Sequence, residues 1–370
     1  MLSYKNNTLI LTFIIIVLFS LQNTYAQKLL KFDDMTLDLQ NRWKTSVEQV
    51  KDEPVWIGYS INKLMSHNGF IGSFHSEQYG PSLKDILSGK VDLNSVKKNN
   101  EGYRQYHWND GESVEKELKE VAVFIKVGKD SKKGIVFKEV SVNNIDLFFD
   151  TEGLSIYWLG NAGYDESVDL LSSIYEKTGD NEVKEDIVSA VGIHDDAASG
   201  YKFLHTIIFS DEIDDVRENA VFWISRYKNP DVLNLMIKIA GEDKSEDVRE
   251  KAVFGLHMID TDEATDALID LARNSEKVHI RKQAIFWLGQ TASKKAISAL
   301  DETVYDEDEA EVQKQAVFAI SQLDSDESIP RLIRIAKTHP NPEIRKKAIF
   351  WLGQSEDDRA LDAIIGFLKN

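Results

Sequence analysis

Cysteine is missing from all 370 residues. Disulfides, a thiolate nucleophile and thiolate metal sites are therefore excluded. A chain this long buries enough apolar surface to fold without cross-links. Long apolar runs are almost missing as well. The one present, residues 9–21, is broken by Thr12 and Ser20 and falls short of the roughly 20 residues that cross a bilayer. Lys5 precedes it, and Ala26 stands before Gln27. This is the three-part layout of a secretory signal peptide. Residues 1–26 are read as a leader cut after Ala26, releasing the chain into a periplasm or outside the cell. No Cys follows the cut, so no lipid anchor and no stable membrane attachment are expected.

Positive charge is in short supply. Asp and Glu number 62 against 44 Lys and Arg, a net charge of −18. Most of the deficit falls in residues 151–370, whereas 27–150 is nearly neutral. Proteins hold phosphate backbones with Lys and Arg, so nucleic acid is not an expected partner, nor is an anionic membrane surface.

Catalytic and metal motifs are also lacking. His67, His75 and His107 lie near Glu77, Asp110 and Glu112 in sequence, yet no pair has i, i+4 spacing and no HExxH occurs. The acidic loops "DTDEATD" from Asp260, "YDEDEAE" from Tyr305 and "DSDES" from Asp324 lack the glycine that an EF-hand needs. They fit helix starts, where carboxylates face the positive end of the dipole. No cofactor, metal or catalytic residue is expected, and the chain is not read as an enzyme. The competing reading is an enzyme whose site lies in the N-terminal domain or at its junction with the C-terminal part of the chain.

What the sequence does contain is a repeat. The pairs Val183-Lys184, Val216-Arg217, Val248-Arg249, Ile280-Arg281, Val312-Gln313 and Ile344-Arg345 recur at steps of 33, 32, 32, 32 and 32 residues. Four residues after each of the last five pairs comes Ala220, Ala252, Ala284, Ala316 or Ala348. Eight after, a Val, Ile or Leu recurs in all six. Offsets 0, 4 and 8 share one helical face, and a break followed by a second apolar stretch completes each unit. Two helices in about 32 residues cannot bury their own apolar face; stacked units share a continuous core.

The pattern V-R-x-x-A-x-x-x-L-G resembles the HEAT-like repeats named after the phycobilin lyases, over residues 151–370. The resemblance implies an α-solenoid of about seven two-helix units, counting one marked by Trp158. It does not imply an activity, because the fold serves unrelated functions. Deoxyhypusine hydroxylases share this solenoid and bind iron through His-Glu pairs, but none of the eight His here is followed by Glu. The lyases' substrates are intracellular and would not meet an exported protein.

Two offsets stand out. Offset 7 alternates large and small: Trp158, Ala190, Trp223, Gly255, Trp287, Ala319, Trp351. These Trp are read as core, each filling room left by Ala or Gly in a neighbour. Offset 6 carries Phe222, Phe254, Phe286, Phe318 and Phe350. At about 100° per residue this position lies opposite the core-facing Ala, so the five Phe form a candidate outer stripe for docking a protein partner.

Residues 27–150 read differently. "VWIGYSIN", "GFIGSF", "EVAVFIKVG" and "GIVFKEVSVNNIDLFF" alternate as strands, and "KDSKKG" is a hairpin loop. The expected fold is α+β: a small antiparallel sheet with a helix near residues 44–50, then the solenoid. The last stretch, "ALDAIIGFLKN", places Ala363, Ile364, Gly366 and Phe367 at the solenoid's end, where weak self-association or partner contact is expected.

Overall fold

The structure is a computed structural model that describes residues 27–74, 80–93, 105–109, 115–194, 197–210 and 212–369. The expected leader lies outside them. No helix among the described residues is long and apolar enough to cross a membrane. The chain divides into two compact units, residues 1–200 and 201–370.

The first unit is built on a five-stranded sheet. Its strands are β1 (Leu29–Lys31), β2 (Val55–Ser66), β5 (Lys116–Asp130), β6 (Gly134–Asn144) and β7 (Ser155–Asn161), in the order β1-β7-β2-β5-β6. Strands β3 (Phe70–Phe74) and β4 (Gln105–Asn109) pair separately. The hairpin β5–β6 turns where "KDSKKG" predicts it. The sheet is mixed, because β7 runs parallel to both β1 and β2.

Strand β7 also corrects one reading. "YWLGN" contains Trp158, expected to mark the first solenoid unit, yet Trp158 is buried in the sheet. A four-residue apolar run does not distinguish strand from helix. Gly160, at φ +78, sits at the irregularity in the β2–β7 pairing, in a conformation that other residues rarely adopt. The repeat register thus has six copies along the sequence, and the expected seventh is a strand.

Residues 55–61 of β2 are buried on both faces. On one face Trp56, Phe124, Phe149 and Trp158 cluster, backed by Leu83 and Ile86 of α2 (Leu83–Leu87). Phe124 stacks on Phe149 at 4.2 Å between ring centroids. On the other face pack α1 (Leu39–Val47), α3 (Tyr164–Lys177) and α4 (Asn181–Gly192). Helix α4 also reaches the sheet through Asp186, whose carboxylate accepts from the Val140 N–H of β6 at 3.0 Å.

A buried polar seam ties this second face together. The Tyr59 hydroxyl lies 2.7 Å from Ser167 Oγ, which lies 2.9 Å from His194 Nε2. His194 Nδ1 lies 2.9 Å from the Ala190 carbonyl, and Lys63 Nζ donates to the Ile193 carbonyl at 2.8 Å. With Nδ1 as donor, Nε2 is free to accept, and one line of donors runs from Tyr59 through Ser167 to the imidazole.

Burial pushes His194 down to about 4 and raises Tyr59 above its ordinary range. Because unfolded His titrates near 6.5, the unfolded state binds the extra proton first. The contribution of this group is therefore complete above about pH 6.5 and is lost as pH falls toward 4, on the order of 3 kcal/mol in all. Urea denaturation of the wild type and of His194→Gln at pH 7.5 and 4.5 checks this. The variant should show the smaller fall; equal falls would place the acid sensitivity elsewhere.

Helix α5 (Ala198–Ile208) spans the division between the units. After it, first and second helices alternate: α6 (Asp214–Ile224), α7 (Val232–Glu242), α8 (Glu246–Ile259), α9 (Asp262–Asn274), α10 (Val278–Thr291), α11 (Lys294–Asp306), α12 (Ala310–Ser321), α13 (Ser325–Thr338), α14 (Pro342–Gln354) and α15 (Asp358–Leu368). First helices pack against first helices along the chain, and α8, α10, α12 and α14 each pack on the second helices beside them. The acidic loops sit at helix ends as expected. Thr261 caps α9 by accepting from the Ala264 N–H, with Asp262 and Glu263 in the first turn.

The Arg of each Val-Arg pair has a repeated task that spacing alone did not reveal. Arg249 donates to the Asp243 carbonyl at 2.6 Å, Arg281 to Ser275 at 2.8 Å, Gln313 to Glu307 at 2.7 Å and Arg345 to His339 at 2.7 Å. Each acceptor is the C-cap residue of the preceding second helix. A helix end leaves carbonyls without intrahelical partners. The side chain at offset 1 satisfies one of them and ties each first helix to the end of the unit before it.

Offset 5 is buried too. Val221, Val253, Ile285 and Val317 are fully buried, whereas their equivalent Ile349 is 37% exposed. In α15 only Ala360 is buried; Leu361, Ile365 and Leu368 are exposed, and Ala363, Ile364, Gly366 and Phe367 are half-buried.

Candidate binding face of the repeat unit

Offsets 0, 4, 5 and 8 of the first helices point into the core, which leaves offsets 6 and 7 at its border. Phe222, Phe254, Phe286 and Phe318 are half-buried, and Phe350 is exposed. Trp223, Trp287 and Trp351 are half-buried as well. This corrects the reading of these Trp as core. The alternation of size is real, but the small members occupy the buried sites: Ala319 is 1% exposed. A Cβ on Gly255 would lie 2.7 Å from Met236 Sδ. Neighbouring first helices approach closely as well, a Cβ on Gly289 lying 2.9 Å from Ala319 Cβ, so room for a large ring exists only outward.

Phe and Trp together form one continuous strip along the first-helix layer. Phe222 stacks on Phe254 at 6.1 Å, Phe254 meets Trp287 at 4.8 Å, and Phe286 stacks on Phe318 at 6.5 Å. Phe318 meets Trp351 at 5.3 Å, and Phe350 meets Trp351 at 5.0 Å. Within α10 the edge-to-face contact of Phe286 with Trp287, at 4.8 Å, joins the two halves. His257 stacks on Trp287 at 4.8 Å, and partial burial holds its imidazole below the usual His range. At the far end Lys347 Nζ lies 5.5 Å above the Phe350 ring and 5.3 Å above Trp351. The sequence signal for Phe and for Trp is the same register, read separately; the structure joins them.

Of the histidines and carboxylates of residues 67–112 singled out in the sequence, His67 is the one with a described side chain. His67 is exposed and lies 3.3 Å from Glu117. His75, Glu77, Asp110 and Glu112 lie outside the described residues, and His107 falls on β4. A different group converges in the repeat unit: Glu246, Glu250 and His279 bring ligand-type atoms within 4.8 Å of one another. Each already has a protein partner. His279 Nδ1 lies 3.5 Å from Glu246, its Nε2 lies 3.4 Å from Arg249, and Gln283 donates to Glu250 at 3.0 Å. The Arg249 guanidinium supplies the positive charge at this spot.

HEAT repeats match residues 201–278 and 265–340, and a PBS lyase HEAT-like repeat matches residues 344–370. The C-terminal segment is therefore a HEAT-like repeat array, and these matches do not extend to the N-terminal sheet. No curated protein is significantly similar to the chain. Among solved structures, human deoxyhypusine hydroxylase in complex with glycerol is similar at 16% identity, covering 54% of this chain and 73% of that one, with a TM-score of 0.28. The complex of CpcE and CpcF of phycocyanin lyase from Nostoc sp. PCC7120 is similar at 16% identity, covering 41% and 97%, with a TM-score of 0.32.

Proposed function

We propose that this chain is an exported, non-catalytic scaffold that docks a protein partner along the aromatic strip of its HEAT-like repeats. The observation that carries this reading is the strip itself: eight Phe and Trp rings in continuous contact, at positions the fold leaves at the surface. Large aromatic surfaces on soluble proteins mark interaction sites, and interface energy concentrates in such anchors. A solenoid presents them on a rigid, extended track. Export follows from the leader-like residues 1–26, and the acidic surface argues against nucleic acid.

Photo-crosslinkers placed in intact cells at Phe350, on the strip, and at Asp270, exposed on α9, test the reading. Crosslinks to another protein are expected from position 350 and not from 270; equal yields from both would overturn it. Phe286→Ser with Phe350→Ser should reduce the crosslinked partner about tenfold, as loss of aromatic anchors does. Loss of the half-buried Phe286 ring and the exposed Phe350 ring should cost only ~1–3 kcal/mol of stability, less than full core truncation. Unfolding of the repeat unit by this pair would show that the rings serve the core instead.

A further inference from the structure

The strip carries more than rings. At 100° per residue, offsets 3 and 10 project between offsets 6 and 7 of the same helix. Gln283, whose amide donates to Glu250 and leaves its carbonyl, and Gln315 occupy offset 3, and Gln290, Gln322 and Gln354 occupy offset 10, the last three exposed. Lys282, Gln283, Phe286 and Gln315 line one depression between α10 and α12. A carboxamide presents donors and an acceptor on one short arm. That is the complement of an extended peptide backbone, in which N–H and C=O groups alternate.

Charge selects the kind of peptide. Along α12 and α14 the strip's acids are already engaged: Glu311 by Lys314 at 2.8 Å and Glu343 by Lys346 at 2.8 Å. Lys282 and Lys347 remain in surplus. Both act on Glu311 only from longer range, and Lys347 spreads over the Phe350 and Trp351 rings. A net positive stretch lined with aromatics stands out in a chain whose net charge is −18.

We infer that the α10–α14 part of the strip takes an extended acidic peptide segment of another protein, its carboxylates toward Lys282 and Lys347 and its apolar side chains against the rings. The inference rests on the docking reading above and names the chemistry of the docked segment. Packed helices lie ~8–10 Å apart, which is about three residues of extended chain. Apolar side chains at every third position therefore meet successive first helices.

Fluorescence anisotropy on the chain from residue 27 onward tests it with two labelled peptides of about twelve residues, a length set by that same helix spacing. Both carry Leu or Phe at every third position; Glu and Ser fill the rest of one, Lys and Ser the rest of the other. The acidic peptide should bind at least about tenfold more tightly, and added salt should weaken it. Lys282→Glu with Lys347→Glu should invert the preference while leaving the melting curve in place. Equal or tighter binding of the basic peptide, or indifference to the charge reversal, would overturn the inference. So would tighter binding of polygalacturonate than of the acidic peptide, which would make the ligand an anionic polysaccharide. If crosslinks from position 350 persist while the acidic peptide shows no preference, the peptide chemistry fails and the docking face stands. If those crosslinks vanish too, both fail.

Discussion

Phe124→Ala should destabilise the sheet unit by about 3–5 kcal/mol, the usual cost of emptying a buried aromatic site. Phe124 is fully buried and contacts Trp56, Phe149 and Trp158. The reason for its position lies across the ladder. Gly58 of β2 is its register partner, and a Cβ on Gly58 would lie 2.3 Å from Phe124 Cδ1 and Cε1. The ring lies over the bare backbone of its neighbour, so Gly58→Ala alone should cost ~1–3 kcal/mol through overpacking. Together the two changes should cost clearly less than their sum, because the new methyl enters space the ring has left. Urea denaturation of the two single variants and the double variant measures the coupling. Additivity within about 0.5 kcal/mol would mean that the ring does not occupy the space above Gly58.

The same pair shows where the sequence is legible and where it is not. "VWIGYSIN" and "EVAVFIKVG" announce two strands by alternation, and β2 and β5 are those strands. That Gly58 faces Phe124 is a matter of register between segments some sixty residues apart, which alternation within each strand does not contain. The repeat is more legible because it compares the chain with itself: a step of 32 or 33 residues locates every first helix from α4 to α14. Periodicity misleads where one copy has no true partners. Trp158 matches the step but belongs to a strand, because its neighbours Ile156 and Tyr157 are stabilised by pairing with Trp56 and Ile57. It misleads again over Trp223, Trp287 and Trp351. Period and size alternation say which residues are equivalent, yet not which side of a close helix contact has room. Their exposure follows from the approach of neighbouring first helices, a tertiary distance. Helical angle alone places the Phe positions at the surface border, but it says nothing of their packing against those Trp.

Arg217→Met should be the most damaging single change in the repeat unit, at about 3–5 kcal/mol, because it strands a buried charge. The Arg217 and Asp243 side chains are 3% and 5% exposed and form an ion pair. Arg217 Nε also donates to the Ile208 carbonyl at 2.9 Å. Without the guanidinium, Asp243 keeps only the Ser245 N–H at 2.9 Å, too little for a carboxylate removed from water. The equivalent Arg345 provides the control. It donates to the His339 and Pro340 carbonyls at 2.7 and 2.9 Å, but His339 stands where Asp243 and Glu307 place a carboxylate in other copies. Arg345→Met therefore leaves unpaired carbonyls and no stranded charge, and should cost nearer 1–2 kcal/mol. Adding Asp243→Leu to Arg217→Met should recover much of the loss, since an apolar pair no longer carries the desolvation cost of a single charge. Urea denaturation of the four variants separates the two tasks of the repeated Arg, capping the preceding helix end and neutralising an acid at the end of its own unit's second helix. Equal losses for Arg217→Met and Arg345→Met would assign all of it to the capping carbonyls, and Asp243 would then be a bystander in the ladder.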